Sequence, residues 1–513
     1  SPSASRTIWR AFPRSSVGVP TELDVGPREL RTRGGLCSAS LERVLAPTCT
    51  DEAVKAFELA RASGAVSAAS ITLLGARRSF EAHFLPPSDG EFRIGISSER
   101  LKGRALVLPN SEPGRLRVRT LAGNSFKELL AQVHASEGDY MPFSCPTADA
   151  ISLGGALAVN THGRTTDTYG GFFADHVPWF RLVGSDGRSY ECHEQAPGEL
   201  ERELYRYVPG ALGALGLVTE LELELCPISP RQRVLAHVID NRAGDPLSTV
   251  ASYAALAGEN ADGHRFRWSE GVSAIFFGSP RRGRSLVMAR DRNGDGSAKT
   301  PTLPLFAGGA ARNALLQRLL HRFPAPAVWL APRILRRGRT FGSEYYRWAF
   351  FQSSYDDAAE RLGLLLVHQA WVIPRPALLA FMGLYFDELE KPEHRAFCSR
   401  LEFQDLLPVP RSRWPLNASF GHEHGSHVLT ISCALPHGRA DLLELAQRFC
   451  STLSQKADAL GRGVLVQLVK QLHVGDALLR KMYREPLRAL SSLKERVDPG
   501  GLLRTRTLER LGV

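Results

Sequence analysis

Ser144 to Gly163 reads SCPTADAISLGGALAVNTHG, and the rest of the chain is organised around it. Gly154 and Gly155 are adjacent, Ala156 to Val159 follow as a small apolar run, and Asn160, Thr161, His162 and Gly163 close the stretch. Adjacent glycines remove Cβ atoms where a backbone turns with positive φ or lies flat against a ligand. The apolar run is too short and too small for a surface element, so it is expected to lie buried beside whatever the glycines touch. The turn then presents an amide and an imidazole close together. These features suit the approach of a large flat or phosphate-bearing group to the main chain. The competing reading is a tight buried turn with no ligand.

Two further loops point the same way. Upstream, ITLLGARRSFEAHF begins as a short β-like run, Ile71 to Leu74, and breaks at Gly75. Backbone amides, Ser79 and the guanidinium groups of Arg77 and Arg78 suit a pyrophosphate, against the alternative of a basic surface turn. Downstream, PGALGALGLVTELELEL spaces Gly210, Gly213 and Gly216 every third residue before an alternating strand that ends at Cys226 and Pro227. That spacing suggests a loop laid against a ligand, or a plain glycine-rich hairpin.

Between these loops the pattern predicts a helix over 50–66, capped by Thr50 with acids in its first turn. It predicts two strands within 104–122, a helix over 124–137 capped by Asn124 or Ser125, and a strand, turn and strand from His176 to Cys192. From about 229 prolines and arginines increase, which suggests a second domain mixing strands and helices. HQAWVIP (368–374) and HVLTISCALP (427–436) read as buried strands, 439–461 as a helix and 463–470 as a strand. The end reads as a helix stop at Asp498-Pro499-Gly500-Gly501 and a short basic tail.

Composition sets the outer bounds. At 513 residues two or three domains are expected, and 43% hydrophobic residues describe an ordinary globular chain. No apolar run approaches the length that crosses a bilayer, and the start, SPSASRTIWRAFPRSS, reads as an irregular extension without a signal-peptide core. Eight dispersed cysteines without a CxxC argue for reduced thiols in a cytoplasmic setting. The net charge of +11 permits an anionic cofactor, an anionic substrate or a membrane surface. No basic run interleaved with aromatics marks a nucleic-acid face, so no nucleic-acid partner is expected.

Three local patterns are set aside. Asp291, Asn293, Asp295 and Gly296 imitate the start of a calcium loop, but Thr302 stands where the bidentate Glu belongs. His422, His424 and His427 cluster without a carboxylate to complete a metal site, so no metal is expected. Arginines between Arg312 and Arg339 accompany apolar residues as a solvated helix face, with peripheral contact to anionic lipid as the alternative.

The ordered set of motifs resembles the flavin-linked oxidases of the vanillyl-alcohol oxidase type, with a PCMH-type FAD-binding fold. GARRSF, SLGGALAVNTHG, GALGALGLVTE, the Lys-bearing LVK at 468–470 and VDPGGLLRTRTLERLG carry the resemblance. Within that family the chain is most similar to the branch of aldonolactone and alditol oxidases and decaprenylphosphoryl-ribose oxidase. The resemblance fades between 229 and 345. It implies an α+β protein: an N-terminal extension (1–40), an FAD-binding domain of two α/β subdomains (41–228), a mixed α+β cap (229–455) and a C-terminal segment (456–513) returning to the FAD domain.

By this resemblance Gly75, Arg77, Arg78, Ser79 and Phe80 form the pyrophosphate loop. Pro146, Thr147, Ser152, Gly154 and Gly155 line the ribityl chain and ring, beside a turn of Asn160, His162 and Gly163. Gly216 and Val218 border the adenine or ring edge. Arg78 stands where many members carry the histidine that bonds the flavin, and Cys145 sits further from the double glycine than in cysteinyl-linked members. Non-covalent FAD is therefore expected. Lys470 is the expected catalytic residue, as a lysine closing an apolar strand; His473, Gln369 and Tyr346 are weaker pocket candidates. The implied reaction oxidises a CH–OH group of a sugar-, polyol- or natural-product-like small molecule by hydride transfer to flavin, with oxygen or a carrier as final electron acceptor. The alternatives are desaturation or cyclisation on the same fold, an NADPH-fed reductase, or a membrane-surface protein with structural FAD. A cytoplasmic location follows, with membrane association under the lipid alternative.

Overall fold

The computed structural model describes residues 23–63, 69–88, 92–109, 115–138, 140–144, 146–163, 171–227, 233–240, 246–251, 253–254, 270–277, 284–291, 319, 322–323, 339–340 and 351–513. The chain is α+β, as its sequence implies, and its three larger sheets frame one cleft.

A small parallel sheet joins Arg43–Leu45, Phe92–Ser97 and Ala69–Leu74 in that order. The helix Thr50–Ser63 packs on it through Ala53, Ala56, Phe57 and Ala60, which are buried against Ile71, Ile94 and Ile96. Thr50 does not cap this helix by a side-chain bond. Its hydroxyl meets Thr219 and Glu220 at 2.9 and 3.0 Å, while Glu52 reaches back to the Thr48 amide at 2.8 Å.

The central antiparallel sheet runs Ser189–His193, Trp179–Val183, Leu217–Pro227, Leu116–Leu121, Leu106–Val107, with Tyr140–Pro142 also paired to 217–227. The Glu-Leu-Glu-Leu alternation of that long strand does not divide it into one wet and one dry face. Both faces are in fact covered. Leu221, Leu223 and Leu225 enter the core, and Glu222 is buried between Arg117 and Arg119 at 2.9 and 2.5 Å. Arg119 lies over the Trp179 ring at 4.4 Å, so the guanidinium stems and one aromatic roof the carboxylates. Helix Phe126–Ser136 starts with a capping box in which the Ser125 hydroxyl accepts from the Glu128 amide and Glu128 returns to the Ser125 amide.

The cap sheet is antiparallel throughout, in the order Arg339–Thr340, Arg233–Asp240, Arg284–Asp291, Glu270–Phe277, Leu401–Val409, Ser426–Pro436, Leu364–Pro374, Leu465–Val466. Helices Leu378–Glu390 and Ala440–Ala459 cover one face; Trp371 meets Phe381 and donates its indole N–H to Ser454 at 3.0 Å. The opposite face turns toward the small and central sheets. The expected strand over 463–470 shrinks to Leu465–Val466, and Gln467 to Lys470 form a turn.

The C-terminal segment stitches these parts together. After helices Asp476–Met482 and Arg484–Val497, Asp498 is buried and accepts from Lys494 Nζ (2.8 Å) and the Leu502 and Leu503 amides (2.9 and 3.0 Å), with the Ser185 hydroxyl a fourth donor. Leu503 then bridges Ile71 in parallel. The expected basic tail is a helix, Arg506–Leu511, capped by Thr505. At the other end, part of the expected extension is ordered: Arg28–Arg31 and Ser38–Leu41 form a hairpin whose tip carries Arg33. The first residues, the calcium-like tip after Asp291 and most of the arginine stretch lie outside the described residues. Among the described residues no helix is long and apolar enough to cross a membrane, no group of three or more ligating side chains could hold a metal, and the seven cysteines are free thiols.

Candidate functional site

One cleft gathers the three glycine loops, the C-terminal turn and the open face of the cap sheet. Of the residues singled out in the sequence, Gly75, Arg77, Arg78, Ser79, Phe80, Pro146, Thr147, Ser152, Gly154, Gly155, His162, Gly163, Gly216, Val218 and Lys470 line it. Cys145 and Tyr346 lie outside the described residues.

Of the two uses suggested for the double glycine, a positive-φ turn or a backbone lying flat against a ligand, the first is absent. Gly154 and Gly155 belong to a six-residue helix, Leu153–Ala158, and the need for glycine is steric. A Cβ on Gly154 would sit 2.9 Å from Ala122 Cβ, and one on Gly155 would sit 2.9 Å from Ser152 Oγ. A Cβ on Gly75 would meet that same oxygen at 2.8 Å. Ser152 Oγ instead accepts the Ala76 amide at 3.2 Å, so one hydroxyl joins the first loop to the helix. Positive φ falls elsewhere: Arg77 at 55°, Asn160 at 46° and Leu212 at 56°. Asn160 ends the short helix in left-handed geometry, which its residue type tolerates. It sits behind the cleft wall, with its side-chain oxygen accepting the Ala174 amide at 3.1 Å. Its Nδ2 is buried with no hydrogen-bond partner among the described residues, and the following Thr161 and His162 line the cleft. The third loop docks on the same helix, the Gly210 and Leu212 amides donating to Leu157 and Ala158 at 3.3 and 2.8 Å.

The walls suit a flavin dinucleotide. Ser79 Oγ and Thr161 Oγ1 are buried with no hydrogen-bond partner among the described residues, an arrangement that costs free energy unless a ligand supplies the partner. Arg33, Arg77 and Arg78 line the same end of the cleft. Arg78 donates to Asp357 at 3.2 Å, and Arg33 pairs with Asp357 and Glu360 of the cap helix Phe351–Arg361.

Across the cleft stands a wall of side chains. His368, Asp405, Thr430 and Ser432 line it from three neighbouring cap strands, with His368 opposite Ser432 and Asp405 opposite Thr430 in register. Period two puts all four on one face. Gln369, one of the weaker pocket candidates from the sequence, is on the other face: fully buried, its side-chain oxygen accepts the His473 amide at 3.0 Å. His473 is half-buried and meets Gln471 at 3.3 Å. Sequence reasoning missed His368, one position away, as it missed Arg33, Asp405, Thr430 and Ser432. The alternation within HQAWVIP was the available signal, but nothing in it says which face is wet.

Lys470 stands at the end of the C-terminal turn rather than of a strand. Gln467 and Gln471 clamp that turn to the 364–374 strand, through the Gln467 amide on the Ala370 carbonyl and the Gln471 amide on the His368 carbonyl, both at 2.9 Å. Lys470 Nζ lies 5.9 Å from the Phe80 ring centroid. Two histidines feel its charge. Burial first and Lys470 second hold His162 down at about 4, and the same two causes hold His368 well below the usual imidazole range. His162 Nε2 meets Gln467 Oε1 at 3.3 Å. The cleft thus holds neutral imidazoles beside a cation, with two carboxylates, Asp356 and Asp405, on the cap side. The histidines of GHEHGSH do not join it: His422 bonds Ser426 at 2.6 Å, and His427 is buried.

Residues 41–193 match the family of FAD binding domains. No curated protein matches the chain. The matched span holds the first loop and the double-glycine helix, so the chain carries an FAD-binding domain of the PCMH type, found mostly in FAD-linked oxidases and dehydrogenases.

Proposed function

We propose that this protein oxidises a CH–OH group of a sugar-, polyol- or natural-product-like small molecule, in the manner of the alditol and aldonolactone oxidase branch, with FAD held non-covalently. The observation that carries this reading is the pairing of two unlike walls across one cleft: glycine loops on one side, hydrogen-bonding side chains on the other. FAD supplies a two-electron hydride acceptor when bound. The first loop would hold its diphosphate through backbone amides, Ser79 and Arg78. The Ser152 to Gly155 strip would lie along the ribityl chain and ring, and Gly216 and Val218 along an edge.

The chain's own groups then act on the substrate. Thr430, Ser432 and Asp405 hydrogen-bond hydroxyl groups, which orients the carbinol carbon. Lys470 supplies positive charge where oxygen becomes more negative during oxidation. The buried wall of Phe80 and Leu407 keeps water from the reacting carbon. Oxygen or a carrier protein then takes the electrons onward. An absorbance spectrum of the purified protein before and after acid precipitation tests the cofactor. A yellow supernatant is the expected result, and a colourless protein that takes up no FAD would refute the reading. Anaerobic bleaching by a panel of polyols and aldoses tests the substrate class.

A further inference from the structure

Resting on that hydride-transfer reading, we propose that His368 receives the proton of the substrate hydroxyl, with Ser432 fixing the imidazole in the tautomer that leaves Nε2 bare. Two contacts determine how the ring sits. Its Nδ1 is hydrogen-bonded to Ser432 Oγ on the neighbouring strand. Its face stacks on Phe80 of the first loop, with centroids 4.8 Å apart and planes within 15°. Ser432 fixes the edge and Phe80 fixes the plane. The other nitrogen, Nε2, has no hydrogen-bond partner among the described residues, and the residue lines the cleft.

The remaining histidines of the cleft do not offer this. His162 has both ring nitrogens engaged, by Gly163 and Gln467 at 3.4 and 3.3 Å. Both nitrogens of His83 are closed off from solvent. His368 alone among them combines a committed nitrogen with one left for a ligand.

A serine hydroxyl can accept as well as donate, and the positive charge of Lys470 in the same cleft favours a lone pair over an N–H on the other ring nitrogen, so Nδ1 carries the proton and Ser432 accepts it. With Nδ1–H donating to Ser432, Nε2 keeps its lone pair toward the cleft. The other charged and titratable groups lining the cleft are Arg33, Arg77, Arg78, His83, His162 and Lys470, with Asp356 and Asp405 on the cap side; of these, the charge of Lys470 acts on His368. Lys470 and burial keep the imidazole neutral, and neutral is the form that accepts a proton. Lys470 and His368 thereby divide the work, one supplying charge and the other taking the proton.

The step balances. The hydroxyl O–H bond breaks, its electron pair becomes the second carbon–oxygen bond, and its proton ends on Nε2. The carbinol C–H pair leaves as hydride to FAD, so the alcohol becomes a carbonyl and FAD is reduced by two electrons. The imidazolium that results is held by Ser432, with the Asp405 carboxylate in the same chamber.

Nitrogen NMR of the holoprotein labelled with 15N-histidine tests this without turnover. The resonance that disappears in His368→Gln is expected to carry its proton on Nδ1 and to show a bare Nε2 from about pH 8 to about pH 6. Ser432→Ala should abolish the tautomer preference, and Lys470→Met should raise the pH at which the ring takes its second proton. A proton found on Nε2, a doubly protonated ring near pH 7.5, or a Ser432→Ala spectrum identical to wild type would each overturn the proposal. If His368→Gln does not fold, the resonance is identified by its displacement in Ser432→Ala. Flavin absorbance of the same sample separates the two readings. A colourless protein with a bare Nε2 refutes the flavin reading, and a yellow protein with a protonated Nε2 refutes the assignment of the base.

Discussion

The two walls of the cleft are made of different material. The flavin-side wall is main chain: Gly75, Gly154, Gly155 and Gly216 permit contacts that any side chain would obstruct, and Ser152 ties two of the loops together. The cap-side wall is side chain: His368, Asp405, Thr430 and Ser432 project from a regular antiparallel face. A backbone wall fixes the shape of what it binds and tolerates almost no substitution. A side-chain wall on the same scaffold can change its chemistry residue by residue while the sheet persists. The first holds a constant partner and the second a particular one.

Acid should give the largest effect, and it acts through imidazoles outside the cap-side wall. His83, His162 and His473 are each held at about 4 by burial, against 6.5 for an exposed imidazole. Between those values the unfolded chain binds more protons than the folded one. Stability is therefore complete above about pH 6.5 and is lost as pH falls toward about 4, at roughly 1.4 kcal/mol per pH unit for each such group. Urea midpoints measured across that range should fall steeply; a flat profile would mean these imidazoles are hydrated in solution.

Next comes the backbone wall. Gly216 has φ of 139°, and a Cβ there would meet Val183 O at 2.4 Å. Gly216→Ala should cost about 3 kcal/mol or more, from strain and overpacking together. A chemical melt that leaves the midpoint in place would show the third loop free to shift.

Lys470→Ala should lower flavin bleaching by a reacting polyol about 10²- to 10³-fold, the loss typical of one preorganised charge, while FAD stays bound. Equal loss of both would move Lys470 to the cofactor wall. Ser79→Ala should do the opposite, weakening FAD about tenfold in a fluorescence titration, or roughly 1.4 kcal/mol, with the bound flavin's chemistry unchanged. The smallest effect belongs to Arg77→Gly. Its φ of 55° is glycine territory, so removing the side chain should relieve up to about 1 kcal/mol of backbone strain, offset by lost attraction to Glu99. A clear loss of stability would show that the guanidinium outweighs the backbone.

This contrast also governs what could be read in the sequence. Glycine spacing, Ser79 and the Gly75 break identified the flavin side because glycine states a backbone demand directly, although the demand at Gly154 proved to be close packing and not a turn. At Asn160 the amide suggested a ligand contact, and the backbone adds a second demand the sequence did not show, a left-handed helix end at φ 46°. On the cap side the strands were legible from period two, but the choice between His368 and Gln369 turns on which face the helices 378–390 and 440–459 cover. That is decided by partners distant in the chain. Lys470 was legible as an outlier among apolar neighbours, yet the strand around it was not, because the clamp by Gln467 and Gln471 is tertiary.

The junction at Asp498 has a consequence for biosynthesis. Thr72 hydrogen-bonds the Arg504 carbonyl, 432 positions away, and Leu503 completes the edge of a sheet whose other strands end by Ser97. A ribosome releases the first loop and the double-glycine helix long before it releases the segment that seals them. The flavin-side wall therefore waits, with its small sheet exposed at one edge, until residues 498–504 emerge, and contacts of such separation are slow to close. Capture of the dinucleotide is in this sense a late event, timed by the synthesis of a distant segment and not by that of the residues that touch it.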